Sequence, residues 1–449
     1  MNSKNTQLLA QEHQNEGVLQ QNNANMKSLT MLVVTICWLS IIAEGYDLSV
    51  YGVVLPSLLN YAEWSLTPVQ AGLIGSYSLV GLLLGNVIVG TVTDIIGRKA
   101  TIVFSVILFS VTMGLCALAP SPFWFGLFRF IGGLGLGGIV PTATAMTMEY
   151  TPPKQRSLTN AILLTGYPLG GVLGAIIAPQ LIPVYGWKIM FYIGVIPLLL
   201  VPFIIKFLPK SIVFLLSRNR TEEAERIASR FRIPVNLVMD FEGQQNSKEA
   251  NSAGGLKALF TRGNIRATIF FWVTLFLGLL MIYGLNTWLP EIMQKAGYSF
   301  DSSMAFFLTL NLSAAIGVVV GGAAADRWGY KRIIAIYYFF GAVSIALLSI
   351  KASLALVYVL VAIAGAGAIS PSLMMTGYVS KYFPSASRAT ALGLAMGVGR
   401  LGAILGPIIG GYMIALQLPY IWSFYVFAIC GLLALLATLL IPKHSGGKV

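Results

Sequence analysis

The chain has 449 residues, of which 56% are hydrophobic and only 10% charged. Soluble domains carry about 25% charged residues, so a chain this apolar, with a mean hydropathy of +0.78, cannot cover a water-facing surface; it is excluded from the soluble and the disordered classes. Three cysteines exclude a disulfide scaffold, and the net charge of +13, which would suggest nucleic acid on a soluble protein, has to be read from where the charges lie.

Met1 to about Lys27 is a polar tract rich in Asn and Gln. It lacks the basic start, apolar core and small-residue cleavage site of a secretory signal and reads as a disordered cytosolic tail, residues 1–28. A helix crosses the hydrocarbon core in about 20 apolar residues. Twelve such stretches follow, at 29–57, 67–92, 99–119, 122–149, 157–182, 187–208, 265–289, 302–325, 331–350, 353–378, 387–415 and 420–441. The predicted domains are a six-helix bundle over 29–209, a cytosolic middle loop over 210–264, a second six-helix bundle over 265–441 and a cytosolic tail over 442–449. In the loop, Thr221 to about Arg232 predicts a short helix, with Thr221 as N-cap, Glu222 and Glu223 in the first turn and Arg226 and Arg230 later, matching the helix dipole. Residues 243–256 read as a flexible linker. Cys37, Cys116 and Cys430 fall in apolar stretches and read as packing residues. Both histidines, His13 and His444, lie in the tails, so no metal site and no cofactor is expected.

An even number of spans puts both termini on one side, and the excess of Lys and Arg on cytoplasmic loops chooses the side. With the termini cytosolic, the inside segments hold 24 of the 29 basic residues, and the outside loops hold only Lys188, Lys295 and Lys351. Long loops weigh less in this rule, but the short loops favour the same side through Arg98, Lys99, Lys154, Arg156, Arg327, Lys331, Arg332, Lys381 and Arg388. The positive charge is thus an orientation signal in a plasma or inner membrane, with the bilayer as partner and no nucleic acid.

Self-comparison reveals an internal repeat. Gly90-Thr-Val-Thr-Asp94-Ile-Ile-Gly97-Arg98-Lys99 after the second span matches Gly322-Ala-Ala-Ala-Asp326-Arg-Trp-Gly329-Tyr-Lys331 after the eighth. The same offset maps Gly133 to Gly365, Tyr150 to Tyr382, Pro152 to Pro384, Arg156 to Arg388 and Gly170 to Gly402. The fold class is therefore an all-α membrane protein, 12 transmembrane helices in two six-helix parallel-repeat bundles. Two such halves with the substrate at the midplane between them are the major facilitator architecture, which the sequence resembles throughout its membrane region, and the Gly-x3-Asp-x2-Gly-Arg-Lys loop is that superfamily's best-known motif. The glycines of this loop let helices approach closely, and Asp94 can hold a cation and a helix N-terminus as a gate latch. A purely structural turn is the alternative, more so for Asp326. Gly132 to Gly138 looks like a dinucleotide fingerprint, but it lies in a membrane helix and not after a strand. Close helix packing explains it.

Ionisable residues inside spans are functional hypotheses by default. Four stand out: Glu44 and Asp47 in the first span, Arg129 in the fourth and Arg400 in the eleventh. Glu149, at the cytosolic end of the fourth span, is expected in a gate with Arg156. Glu44 and Asp47 share a helix face, which Tyr51 continues. At 1.5 Å per residue, Asp47 lies about 14 Å and Arg129 about 10 Å below the outer ends of their spans, so the two could pair. Under the repeat offset Arg129 maps to Val361, Arg400 to Pro168, Glu44 to Phe276 and Asp47 to Leu279. The scaffold is duplicated and the charges are not, and breaks in a consistent pattern are expected at functional sites. The alternative is a structural ion pair, Asp47 with Arg129. Buried arginines bind a carboxylate through a planar fork, and a buried carboxylate can take and release a proton. Tyr46, Tyr51, Tyr77, Tyr167, Tyr283, Trp288 and Tyr378 are candidate cavity-lining aromatics, although in a chain with 11% aromatics each alone reads more readily as packing or an interface-belt residue.

Within the superfamily, Glu44-Gly-Tyr-Asp47-Leu-Ser-Val-Tyr-Gly52 resembles the first-span Asp-Gly-x-Asp signature of the aromatic acid:proton symporters, with Glu44 in place of the first Asp. Arg129 to Pro141, Glu149 to Arg156, Leu208 to Leu216 and Tyr283 to Pro290 are similar to the same family, over residues 30–441. The resemblance implies proton-driven import of benzoate-like or hydroxybenzoate-like acids, with Asp47, Arg129 and Arg400 at positions important for transport. The expectation is a monomeric carrier, not an enzyme. Asp47 and Glu44 couple protons, Arg129, Arg400, Tyr51, Tyr283 and Trp288 bind substrate, and Gly90, Asp94, Gly97, Arg98, Glu149, Arg156, Asp326 and Arg388 gate. The alternatives are a nicotinate or other organic-acid carrier, and a sugar-porter-like carrier, whose neutral substrate would not need buried arginines.

Overall fold

A computed structural model describes residues 3–152, 155–231 and 252–442. Among them, twelve helices are long and apolar enough to cross a membrane. They are span 1 (Ser28–Leu59), 2 (Pro68–Ile96), 3 (Arg98–Ala117), 4 (Pro122–Glu149), 5 (Leu158–Tyr185), 6 (Lys188–Phe207), 7 (Ile265–Lys295), 8 (Phe300–Trp328), 9 (Tyr330–Leu347), 10 (Leu354–Tyr382), 11 (Thr390–Ala415) and 12 (Ile421–Leu440). All twelve expected spans are present, displaced by a few residues at their ends. The loop helix runs Thr221–Phe231. Of the expected linker 243–256, residues 252–256 lie in the helix Ser252–Leu259, and the rest lies outside the described residues, as does 443–449.

Two features differ from the sequence expectation. The first helix begins at Ser3 and runs unbroken to Leu59, so the polar N-terminal tract is helical rather than disordered. Its Leu, Ala, Gln and Glu are good helix formers, and elongating an already nucleated helix is easy where nucleating one is not. Span 7 extends to Lys295, which brings Glu291 into the helix. Glu291 is buried, with Lys295 one turn away at 3.9 Å.

Local chemistry accounts for the boundaries. Thr67 caps span 2 through a reciprocal box with Gln70, and Pro68 occupies the first turn. The turns between spans 2 and 3 and between spans 8 and 9 place Gly97 at φ +87° and Gly329 at φ +91°, a backbone region that side chains disfavour. The repeat therefore carries the same glycine to the same turn. Span 4 breaks between Leu136 and Ile139, where its glycines lie against span 2. A Cβ on Gly133 would stand 2.2 Å from the Ser78 carbonyl oxygen, and one on Gly137 would stand 2.5 Å from the Asn86 nitrogen. The run is a close-packing surface.

Spans 1 and 7, 2 and 11, and 5 and 8 join the two halves. The contacts cluster toward the face opposite the termini. A Cβ on Gly52 would meet the Asn286 oxygen at 1.9 Å, one on Gly72 the Pro407 oxygen at 2.6 Å and one on Gly171 the Asn311 side chain at 2.8 Å. The Ser76 hydroxyl donates to the Ile404 carbonyl at 2.6 Å across the same seam. Toward the terminal face, Gly90, Gly322, Gly393 and Gly397 have nothing within 4 Å of an added Cβ. The halves meet on the face opposite the termini, and on the terminal face these four glycines border open space.

Candidate functional site

The intramembrane charges form two centres. In the first, Arg129 of span 4 reaches span 1. One guanidinium nitrogen donates to the Asp47 carboxylate and, at 3.1 Å, to the Asp47 carbonyl. The other donates to the Ser78 hydroxyl at 3.0 Å. Both partners of this ion pair are buried, with side chains 2% and 3% exposed. The guanidinium sits 5.8 Å from the centre of the Tyr51 ring, and the Tyr51 hydroxyl donates to the Ala71 carbonyl at 2.5 Å. This centre lies wholly inside the first half, and its arginine already holds a carboxylate.

The second centre bridges the halves. Arg400 of span 11 is only partly buried, and it donates to the Tyr283 hydroxyl of span 7 at 3.0 Å. Its Nε has no protein partner, nor has Oε2 of the buried Glu44. Glu44 and Arg400 are close enough to act on each other electrostatically, and Tyr167 of span 5 feels both. The Tyr167 and Tyr283 rings meet edge to face at 6.4 Å, one from each half. A cation and a carboxylate, each with a buried atom lacking a hydrogen-bond partner among the described residues, and two aromatic rings thus converge where the two halves meet.

Arg400, Tyr283 and Glu44 are therefore brought together, while Arg129, Tyr51 and Asp47 are assembled separately behind them. Trp288 belongs to neither centre. It is fully buried within the second half, donates to the Pro407 carbonyl at 2.8 Å and packs on Gly410. Tyr167 was only one of seven candidate aromatics in the sequence. Its neighbour Pro168 occupies the repeat position of Arg400, which is the one signal that could have singled it out.

The candidate gate residues divide in the same way. Glu149 takes Arg98 at 2.6 Å, the Ser211 hydroxyl at 2.7 Å and the backbone N–H groups of Ile212 and Val213. These amides open the short helix Ile212–Ser217, where a carboxylate is favoured. Arg156, the partner expected for Glu149, donates from Nε to the Thr151 carbonyl at 3.1 Å. The neighbouring Tyr150 phenol is pushed far above its usual range, first by burial and then by the Glu149 charge, and its hydroxyl donates to the Lys210 carbonyl at 2.6 Å. Asp94 has an exposed carboxylate with no ion pair among the described residues, although its carbonyl accepts from Arg218 at 2.8 Å. Gly90 faces open space, and Gly97 packs against the Phe214 ring. Asp326 pairs with Lys381 at 2.8 Å. Arg388 is exposed. Among the described residues no His, Cys, Asp and Glu cluster could hold a metal ion.

The sequence profile of the Major Facilitator Superfamily matches residues 37–316 and 306–448. This chain belongs to that superfamily. Within it the chain stands with the aromatic acid:proton symporters. It is 37% identical to a benzoate transport protein of Acinetobacter baylyi, over 91% of this chain and 89% of the relative. It is 36% identical to a gentisate transporter of Corynebacterium glutamicum, over 91% of this chain and 86% of the relative. The xylose transporter XylE of E. coli, in a partially occluded inward open conformation, superposes with a TM-score of 0.75 at 18% identity, covering 94% of this chain and 100% of that one. The last likeness supports the fold alone. This superfamily member is a multi-pass membrane transporter and not an enzyme.

Proposed function

We propose that this superfamily member imports a small aromatic carboxylate, benzoate-like or hydroxybenzoate-like, together with a proton by alternating access between its two six-helix halves (29–209 and 265–441). Both termini and the middle loop are cytosolic, and the carrier works as a monomer in the lipid bilayer of the plasma or inner membrane. The observation that carries this reading is Arg400, a partly buried guanidinium without an ion pair among the described residues, bonded to Tyr283 at the boundary between the halves, with Tyr167 and Glu44 within electrostatic reach. A guanidinium fork binds a carboxylate, the rings suit an aromatic body, and an acidic group alongside can exchange a proton with the cavity. The 37% identity to a benzoate transport protein supports the same substrate class.

Arg400 anchors the substrate carboxylate and Tyr283 orients that arginine. Arg129 and Tyr51 back the site from the first half, and Trp288 fixes span 7 against span 11 away from it. Glu44 and Asp47 carry coupling. The terminal-face residues Gly90, Asp94, Gly97, Arg98, Glu149, Arg156, Asp326 and Arg388 gate the cytosolic side. The test is uptake into proteoliposomes under an imposed pH gradient, with benzoates, hydroxybenzoates, nicotinate and xylose. Expected is gradient-driven accumulation of aromatic acids, weak nicotinate uptake and none of xylose. Glu44→Gln and Asp47→Asn should each abolish uphill accumulation while leaving substrate exchange across the membrane partly intact. Gradient-driven uptake that survives both substitutions sinks the coupling role, and xylose accumulation sinks the substrate class.

A further inference from the structure

Two amides lie next to the charged centre and outside it. Asn286 of span 7 and Asn311 of span 8 are both buried, and Asn311 Nδ2 donates to Asn286 Oδ1 at 3.4 Å. Their place follows from the Tyr167–Tyr283 contact. Asn286 stands three residues beyond Tyr283, on the same helix face and about 4.5 Å further from the termini at 1.5 Å per residue. Gly171 of span 5 stands one turn beyond Tyr167 in the same direction, and a Cβ on Gly171 would meet the Asn311 amide at 2.8 Å. The amide pair therefore sits one turn beyond the two rings, on the side away from the termini.

Helix packing does not account for the pair. An amide at this depth is costly unless it is bonded, yet each one donates back along its own helix, Asn286 to the Ile282 carbonyl at 3.1 Å and Asn311 to the Phe307 carbonyl at 3.0 Å. The one bond between the two spans is longer than the usual 2.9–3.0 Å or so for an N–H donor. Asn311 Oδ1 accepts no hydrogen bond among the described residues. Under the repeat offset the two positions become Val54 and Leu79, both buried. The scaffold thus accepts an apolar side chain at each place, and the amides break the repeat as the intramembrane charges do.

The pair also lies where the halves part. Gly171 belongs to the first half, as does Gly52, whose added Cβ would meet the Asn286 carbonyl oxygen at 1.9 Å. The first half covers both asparagines with glycine backbone. When the halves separate on this face, as alternating access requires, both residues come to line the opening.

We infer that Asn286 and Asn311 form a specificity subsite, open when the face opposite the termini is open, that recognises a hydroxyl group on the ring of an incoming aromatic acid. This rests on the reading of the protein as an aromatic acid carrier with the carboxylate on Arg400. A phenolic hydroxyl donates and accepts, and an amide side chain offers the matching acceptor and donor. Asn311 Oδ1 takes the phenolic proton in a hydrogen bond, and an amide N–H donates to the phenolic oxygen. An unsubstituted ring gains nothing there, and a site built to bond a hydroxyl discriminates against the analogue that lacks it.

The test uses the full-length protein in proteoliposomes under an imposed pH gradient. Uptake of labelled benzoate is measured in competition with unlabelled benzoate, 3-hydroxybenzoate, 4-hydroxybenzoate and gentisate. At least one hydroxylated acid should compete more strongly than benzoate. Asn311→Leu and Asn286→Val, which install the residues of the repeat mates, should each reduce that advantage by about three- to tenfold, the worth of one neutral hydrogen bond, and leave the KM for benzoate unchanged. The two variants alter different spans, and retained benzoate uptake shows that each is folded, so either one decides. An undiminished advantage in the variants overturns the subsite, as does a parent that prefers no hydroxylated acid. An equal loss for benzoate and the hydroxylated acids assigns the amides to the structure instead. A parent that takes up none of these acids overturns the carrier reading itself, and the subsite with it.

Discussion

Arg129 and Arg400 are both intramembrane arginines beside a tyrosine, and the tyrosines themselves are repeat mates: Tyr51 maps onto Tyr283. Their surroundings diverge. Arg129 lies under the Tyr51 ring with its charge consumed by Asp47, inside one half. Arg400 takes the Tyr283 hydroxyl, has no ion pair among the described residues and meets Glu44 across the boundary between halves. A buried arginine that is already paired is closed to a substrate anion, and removing it strands its carboxylate in low dielectric. A partly buried cation without an ion pair is available to an anionic ligand. One repeat position has thus become scaffold and its neighbourhood in the other half a binding centre.

The comparison breaks most visibly in stability. Arg129→Ala should cost roughly 3–5 kcal/mol by leaving Asp47 uncompensated, read as a large fall in melting temperature in detergent. Replacing both partners, Asp47→Asn with Arg129→Met, should recover much of that loss. Arg400→Ala should melt close to the parent yet weaken carboxylate binding by about 10- to 100-fold, the worth of a charge-assisted hydrogen bond, with little effect on a neutral amide analogue. If Arg400→Ala unfolds the protein and Arg129→Ala does not, the assignment of scaffold and ligand site is reversed. The smallest contrast lies in the two tyrosines. Tyr283→Phe removes the acceptor for Arg400 and should weaken substrate binding by about three- to tenfold without changing the melt. Tyr51→Phe should cost about 1 kcal/mol of stability through the lost bond to Ala71 and leave the substrate affinity unchanged.

The fold was legible because a membrane helix announces itself by length and apolarity, and because one offset aligned Gly97 with Gly329 and Arg156 with Arg388. The four intramembrane charges were equally visible against a chain with so few. Their pairing was only half legible. Depth along the helices made Asp47 and Arg129 possible partners, but depth carries no information about which half a side chain faces once twelve helices pack. For that reason Trp288, with a donor at cavity depth, was expected at the substrate and instead bonds to Pro407. Tyr167 was missed as a principal member because its role depends on span 5 meeting span 7 across the boundary, a contact with no sequence periodicity. Composition alone favours disorder for the Asn- and Gln-rich stretch 3–27 but ignores elongation from the adjoining span, which makes it helical.

The seam on the face opposite the termini is made of close backbone approaches at Gly52, Gly72 and Gly171 and a neutral hydrogen bond from Ser76. The terminal face instead carries ion pairs, Arg98 with Glu149 and the more exposed Lys381 with Asp326. Dissolved salt screens exposed charges and leaves van der Waals contact untouched. The two faces should therefore respond unequally to ionic strength: added salt should loosen the exposed Lys381–Asp326 pair within the second half, while the opposite seam, held by close packing and one neutral hydrogen bond, should be unaffected.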